Sequence, residues 1–299
     1  MISGLSQLVC RAKSNPKVIA IAAADDPVVL SAAKEAAQEG IASFILFGSQ
    51  GKIEEIINEM DFAENLSIVD CASKSESIQK AVEAVSLKSA DILMKGNVKT
   101  GELLSVFLKD EYGLRTGRTM NLVTVFETKK YHKLILVTDA GMVIAPDLGQ
   151  KADSIINSAA VARALEIEKP KVAVLAAIEV VNSKMPATTD AAILSQMARR
   201  GQLGAVEVDG PLALDNAISF EAAKHKGISS SVAGDADILI MPDIEAGNIF
   251  YKAMAFLSDC QLASAIVGGR VPIILTSRAD SASTKLQSIA LNVLLSGVM

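Results

Sequence analysis

The sequence predicts an α/β protein of two domains built on parallel sheets, and three observations carry this. Short apolar runs alternate with helical patterns along the first half of the chain, the signature of βαβ units. The 299 residues are about twice a common domain of ~150. Hydrophobic residues make up 50% of the chain, yet aromatics are 4% and Trp is absent. Packing must therefore rest on Ala, Val, Ile and Leu, which suits helices layered on a buried parallel sheet.

Residues 18–23 read as a strand and 26–39 as a helix. Asp25 or Asp26 can cap that helix, Pro27 sits near its first turn and Gly40 can end it. The unit repeats as strand 43–47 with helix 53–60, strand 66–69 with helix 78–87, and strand 91–94 with helix 102–109. After Gly113 the pattern changes. The β runs 121–126 and 134–137 are separated only by the polar stretch 127–133, too short for a helical crossover, so an antiparallel hairpin is expected. Ala152, Ile155, Ile156, Ala159 and Ala162 then share one face at helical spacing. Further units follow as strand 172–176, helix 187–200, strand 205–208, helix 214–224, strand 238–241 and helix 245–257. Two β runs, 263–267 and 271–275, precede a last helix that puts Leu286, Ile289, Ala290 and Val293 on one face. The hairpin and Pro146 place a domain boundary near Ala145.

A net charge of -5 argues against nucleic acid, whose phosphates select basic surfaces. It leaves room for a small phosphorylated ligand held by a few local cations. Cys10, Cys71 and Cys260 are odd in number and widely spaced, neither a disulfide framework nor a zinc site, and fit a reducing cytoplasm. The N-terminus lacks the cationic start and apolar stretch of a signal peptide, and no apolar run nears the ~20 residues of a membrane span. A cytoplasmic protein without a membrane partner is expected.

Candidate chemistry gathers where strands give way to helices, because ligands of open α/β sheets sit beyond the carboxyl ends of strands, near free helical N–H groups. Ser277, Arg278 and Asp280 lie between the last β run and the last helix. A hydroxyl, a guanidinium and a carboxylate there can bind an anion and move a proton. Spacing alone slightly favours the plainer reading, in which Asp280 or Ser281 caps the helix and Arg278 pairs with Asp280. Lys95 and Gly96, with Lys99 and Gly101, form a second loop of this kind, though not a Walker loop; residues 48–52 read mainly as a turn. Arg115 and Arg118 stand in a glycine-bearing loop, as solvated side chains or as a phosphate clamp. Asp209 is placed at a strand end facing a ligand, while Asp215 suits a cap, and Asp139 and Asp243 have similar placements. Carboxylates at strand ends also raise the prospect of a divalent metal. There is no G-x-G-x-x-G, G-x-S-x-G or H-E-x-x-H, and the only histidines, His132 and His225, sit among lysines. These absences count against a Ser/His/Asp hydrolase and a histidine-rich metal enzyme.

Longer strings go further. VDGPLALDNAIS (208–219), VAGDADILIMPDIEAGNIFYK (232–252) and LTSRADS (275–281) closely resemble the phosphate acetyltransferase and phosphate butyryltransferase family. ADILMKGNVKTGELL (90–104) and GLRTGR (113–118) look like its butyryltransferase branch. The resemblance implies two α/β domains around a cleft, as in the isocitrate and isopropylmalate dehydrogenases. The C-terminal segment would return to the first domain, giving domains of 1–145 plus 264–299 and 146–263. It implies acyl-CoA plus phosphate giving acyl phosphate plus coenzyme A, with coenzyme A as substrate or product, no tightly bound cofactor and no metal. It also implies homodimers or larger homo-oligomers, and a downstream acyl kinase as a partner. In these terms Arg278, with Arg115 or Arg118, would hold phosphate. Ser277 or helical N–H groups would face the oxyanion, Asp280 would handle the thiol proton, and Lys95, Gly96, Arg115, Arg118 and Asp209 would line the coenzyme A side. The acetyltransferase branch carries its basic Asp several residues beyond the Ser-Arg pair; here Ala282, Ser283, Thr284 and Lys285 supply no acid, so Asp280 is nominated. Phosphate acetyltransferase is the neighbouring expectation. From other classes stand a metal-dependent, NAD-linked dehydrogenase of the same fold, using Asp139, Asp209 or Asp243, and a non-catalytic binder of coenzyme A or acyl phosphate.

Overall fold

The structure is a computed structural model and describes residues 2–275 and 281–299. Two compact units emerge, one of residues 5–117 with 263–299, the other of the residues up to Gly4 with 118–262. The first begins with α1 (Ser6–Ala12), β1 (Lys17–Ala22), α2 (Pro27–Gln38), β2 (Ala42–Gly48), α3 (Gln50–Glu59), β3 (Leu66–Asp70), α4 (Lys74–Ser86), β4 (Ile92–Lys95) and α5 (Thr100–Phe107). β1 runs parallel to β2 on one side and β4 on the other. Its Ile19, Ala20, Ile21 and Ala22 are all buried, as a central parallel strand covered on both faces requires. Local chemistry sets the helix starts. Asp26 accepts from the N–H groups of Val28 and Val29 ahead of Pro27, and Ser73 caps α4 through Glu76 N–H.

The second unit carries β5 (Asn121–Glu127), β6 (Ile135–Thr138), α6 (Leu148–Ala164), β7 (Lys171–Leu175), α7 (Pro186–Arg199), β8 (Glu207–Leu212), α8 (Leu214–Ile218), α9 (Phe220–His225), β9 (Ile238–Ile240) and α10 (Ile244–Leu257). Its strand order is β5-β6-β9-β7-β8. The expected hairpin is present, with β5 and β6 antiparallel. It belongs to this unit, because β6 runs parallel to β9; the units accordingly divide between Gly117 and Arg118 and not near residue 145.

The chain then runs through β10 (Gln261–Val267), β11 (Ile273–Ile274) and α11 (Ala282–Ser296). β11 pairs antiparallel with β10 and parallel with β4, so the end of the chain completes the first unit's sheet in the order β3-β2-β1-β4-β11-β10. Two expectations from sequence differ. The strand expected at 205–208 runs on through Gly210 and Pro211 to Leu212. The helix expected over 214–224 breaks at Ser219, which leaves helical geometry (φ -128, ψ 114) and caps α9 through Ala222 N–H. Among the described residues no helix is long and apolar enough to cross a membrane.

Candidate active site

In the first unit the carboxyl ends of β1 and β4 lie side by side, and their loops are bolted together. Gly96 N–H donates to Ala22 O (2.9 Å) and Asn97 N–H to Ala23 O (2.8 Å). Ala23 adopts a left-handed conformation (φ 53), and its N–H donates to the buried Ser77 hydroxyl of α4 (2.8 Å). Lys74, at the start of the same helix, donates to Asn97 O (2.7 Å). An ideal Cβ on Gly96 would stand 2.1 Å from Ala23 O, so no other residue fits without moving backbone. Lys95 ends β4 and turns its ammonium onto Gly96 O (3.1 Å) and Val98 O (3.0 Å). The expected Lys95–Gly96 loop is thus a rigid strand-end turn whose cation organises its own backbone.

β11 runs beside β4, with Ile274 opposite Met94, and leads toward the Ser277, Arg278 and Asp280 site. Those three residues lie outside the described residues. The cap of α11 is Ser281, whose hydroxyl accepts from Thr284 N–H (3.1 Å), so the capping role at this junction does not fall to Asp280.

The two loop arginines go to different units. Arg115 forms an exposed pair with Asp110 (3.0 Å) and a β-bridge with Gly269 in the first unit. Arg118 begins the second unit's main segment and donates from Nη1 to Asn157 Oδ1 on α6 (3.5 Å). Asp209 is not at a strand end. It sits within β8 at the edge of the second unit's sheet, and its Oδ1 accepts from Gly210 N–H (2.9 Å). It lines an open cavity of about 640 Å³ with Lys169, Arg199, Glu207 and Ser229, beside the strand's amino end.

Asp139 follows β6 and is buried. Its carboxylate accepts from the N–H groups of Gly141 (2.7 Å), Met142 (3.0 Å), Val143 (3.2 Å) and Leu122 (3.3 Å). Burial pushes its acidity constant up against these donors, which lower it. Asp243 caps α10 through Ala246 N–H. Both carboxylates are engaged with backbone, and among the described residues no group of three or more His, Cys, Asp or Glu side chains is placed to hold a metal.

One arrangement escaped the sequence reading: a buried polar seam between β5, β6 and α6. Asn157 Nδ2 donates to Thr119 O (2.8 Å) and Asn121 Oδ1 (2.7 Å), and Asn121 Nδ2 donates to Thr138 Oγ1 (2.6 Å). The only sequence signal was polar residues on the inner face of an otherwise apolar helix.

The model of the family described as "Phosphate acetyl/butaryl transferase" matches residues 3–80 and 71–293. This chain belongs to that family. The phosphate acetyltransferase of Thermotoga maritima is 51% identical over 289 residues, 96% of this chain and 98% of the relative. The phosphate butyryltransferase of Clostridium acetobutylicum is 46% identical over 299 residues, 99% of each. Among solved structures, a branched-chain phosphotransacylase from Enterococcus faecalis V583 superposes with a TM-score of 0.81 at 34% identity, covering 93% of this chain and 98% of the other. Membership in this family bears out the resemblance drawn from the C-terminal strings.

Proposed function

We propose that the chain transfers a short acyl group between coenzyme A and inorganic phosphate, with butyryl-CoA as the favoured substrate. The observation that carries this is the family match along nearly the whole chain, joined by relatives named phosphate butyryltransferase and phosphate acetyltransferase. In the reaction an oxygen of phosphate bonds to the acyl carbon, the carbon–sulfur bond breaks, and the phosphate proton ends on the coenzyme A sulfur. Arg278, with Arg115 or Arg118, holds the phosphate dianion. Ser277 or N–H groups at the start of α11 stabilise the tetrahedral oxyanion. Asp280 accepts the thiol proton in the reverse direction. The rigid Lys95–Gly96 turn, at the carboxyl end of β4 where open α/β sheets bind ligands, supports this reading. Coenzyme A acts as substrate and product, and the acyl phosphate suits transfer to an acyl kinase. A reducing cytoplasm fits the free thiols of Cys10, Cys71 and Cys260, and self-association into a homodimer completes the reading.

The 51% identity to a phosphate acetyltransferase favours acetyl-CoA as the second reading. One methylene in a pocket is worth only ~1–3 kcal/mol of discrimination, so the two chemistries are close neighbours. The test is thiol release from butyryl-CoA and acetyl-CoA, with and without phosphate and with and without EDTA. Phosphate-dependent release that survives EDTA is expected, faster with butyryl-CoA. Release that needs a metal, or no release, overturns the transferase reading; faster turnover of acetyl-CoA selects the second.

A further inference from the structure

We infer that Asn157 is the positioning residue of Arg118, fixing that guanidinium for a phosphoryl anion of the substrates; the inference rests on the reading of Arg118 given above. An arginine on a loop has many rotamers, and a useful anion clamp needs most of them removed beforehand. Asn157 sits on α6 and is buried. Its amide orientation is dictated by its neighbours. The two Nδ2 protons go to acceptors that cannot donate in return, the Thr119 carbonyl (2.8 Å) and Asn121 Oδ1 (2.7 Å). Asn121 is itself fixed, because its Nδ2 donates to Thr138 Oγ1 (2.6 Å). Flipping the Asn157 amide would set its oxygen against two acceptors. Oδ1 therefore faces Arg118, accepting from Nη1 (3.5 Å).

The backbone next to Arg118 is held by the same helix. Asp153, one turn before Asn157 on α6, accepts from Thr119 N–H (2.9 Å), while Asn157 takes Thr119 O. Both polar groups of the residue after Arg118 are thus gripped by α6. Arg118 as a whole remains exposed, so its fork is oriented at one nitrogen while the side chain still faces solvent. That is the arrangement expected of a pre-set anion ligand, whereas an arginine serving only the fold would be buried against its partner.

The experiment is a double-mutant cycle on Arg118→Ala and Asn157→Ala, with KM for phosphate and for coenzyme A, kcat and thermal unfolding recorded for each variant. Asn157→Ala alone is expected to raise one of the two KM values about tenfold, as for loss of one hydrogen bond to a charged group, with kcat changing less. A rise for phosphate marks the inorganic substrate as the ligand of Arg118; a rise for coenzyme A marks one of its phosphates. In the Arg118→Ala background Asn157→Ala should add no further rise. Asn157→Asp keeps the side-chain volume and an acceptor for Arg118 but sets oxygens against Thr119 O and Asn121 Oδ1; it should fall between the native protein and Asn157→Ala, and it serves where the alanine variant does not fold. Equal effects of the Asn157 change in both Arg118 backgrounds would overturn the inference, making Asn157 a purely structural residue. Unchanged KM values in Arg118→Ala would instead remove the reading of Arg118 on which the inference stands.

Discussion

Gly96 has no room for even a methyl group. The obstacle is the Ala23 carbonyl oxygen, 2.1 Å from an ideal Cβ, with Ala22 O at 2.6 Å, and backbone does not swing aside as the tip of a side chain does. Gly96→Ala must push apart the two strand-end loops that Gly96 and Asn97 tie together. We expect a loss of about 1–3 kcal/mol, typical of overpacking, and a melting temperature lower by roughly 2–4 °C per kcal/mol for a unit of this size. Gly51, in the first turn of α3 with nothing within 4 Å of its ideal Cβ, is the control, and Gly51→Ala should be neutral or slightly stabilising. Equal melting temperatures for the two variants would contradict this account. At Arg278 the expectation is chemical. Arg278→Lys turns a bidentate fork into a point charge, so KM for phosphate should rise by about tenfold while KM for coenzyme A changes little. A unchanged phosphate KM would take Arg278 out of the phosphate site.

At the scale of elements, charge stitches the amino ends of β6, β7 and β9. Lys171 at the head of β7 and Lys133 just before β6 both pair with Asp235 (2.6 and 2.9 Å), and Lys133 also reaches Asp237 (2.7 Å). His132 Nε2 lies 2.8 Å from Asp235 Oδ1, and Asp237 Oδ2 accepts from Lys171 N–H (2.7 Å). Burial alone would push the Asp235 carboxyl up, yet the hydrogen bonds from Lys171, Lys133 and His132 outweigh it and hold the group well below the usual carboxylate range. A depressed carboxylate contributes stability above its unfolded value, about 3.9, and that contribution is lost as pH falls through the folded value. Chemical denaturation midpoints of the native protein should therefore drop steeply below about pH 4. Asp235→Asn should be less stable at neutral pH and lose less on acidification; parallel pH curves for the two proteins would rule out this role. The cluster also shows what a linear sequence hides. Helix caps such as Asp26 and Ser73 act within a few residues, and the central strands announce themselves as apolar runs. Asp235 and Lys133, or Asn157 and Thr119, meet only after folding. β8 was cut short for a different reason: Gly210 and Pro211 are turn residues in most contexts, but an edge strand tolerates a proline that offers no N–H. There Gly210 lets the backbone approach Val174 O, which an ideal Cβ would meet at 2.7 Å.

For the molecule as a whole, the outstanding feature is an apolar helix left uncovered. α10 buries only Gly247, whose ideal Cβ would stand 2.0 Å from Asp139 O. One side packs on the second unit's core through Phe250, Tyr251 and Met254, with Phe250 edge-on to Phe126 at 6.1 Å. The other side leaves Ile249, Phe256 and Leu257 exposed at 70%, 66% and 86%. Their spacing of seven and eight residues puts them along one helical stripe, and covering side chains of this size is worth about 1.5–3 kcal/mol each. A second copy of the chain can cover the stripe with its own by a twofold contact, which needs no other partner and agrees with the homodimer in the proposed function. Light scattering should then give a solution mass at least twice the 31.3 kDa of the chain. Phe256→Glu should lower that mass toward a single chain and make thermal unfolding independent of protein concentration. A native protein that runs as a single chain, or a variant of unchanged mass, would show that α10 does not join copies of this molecule.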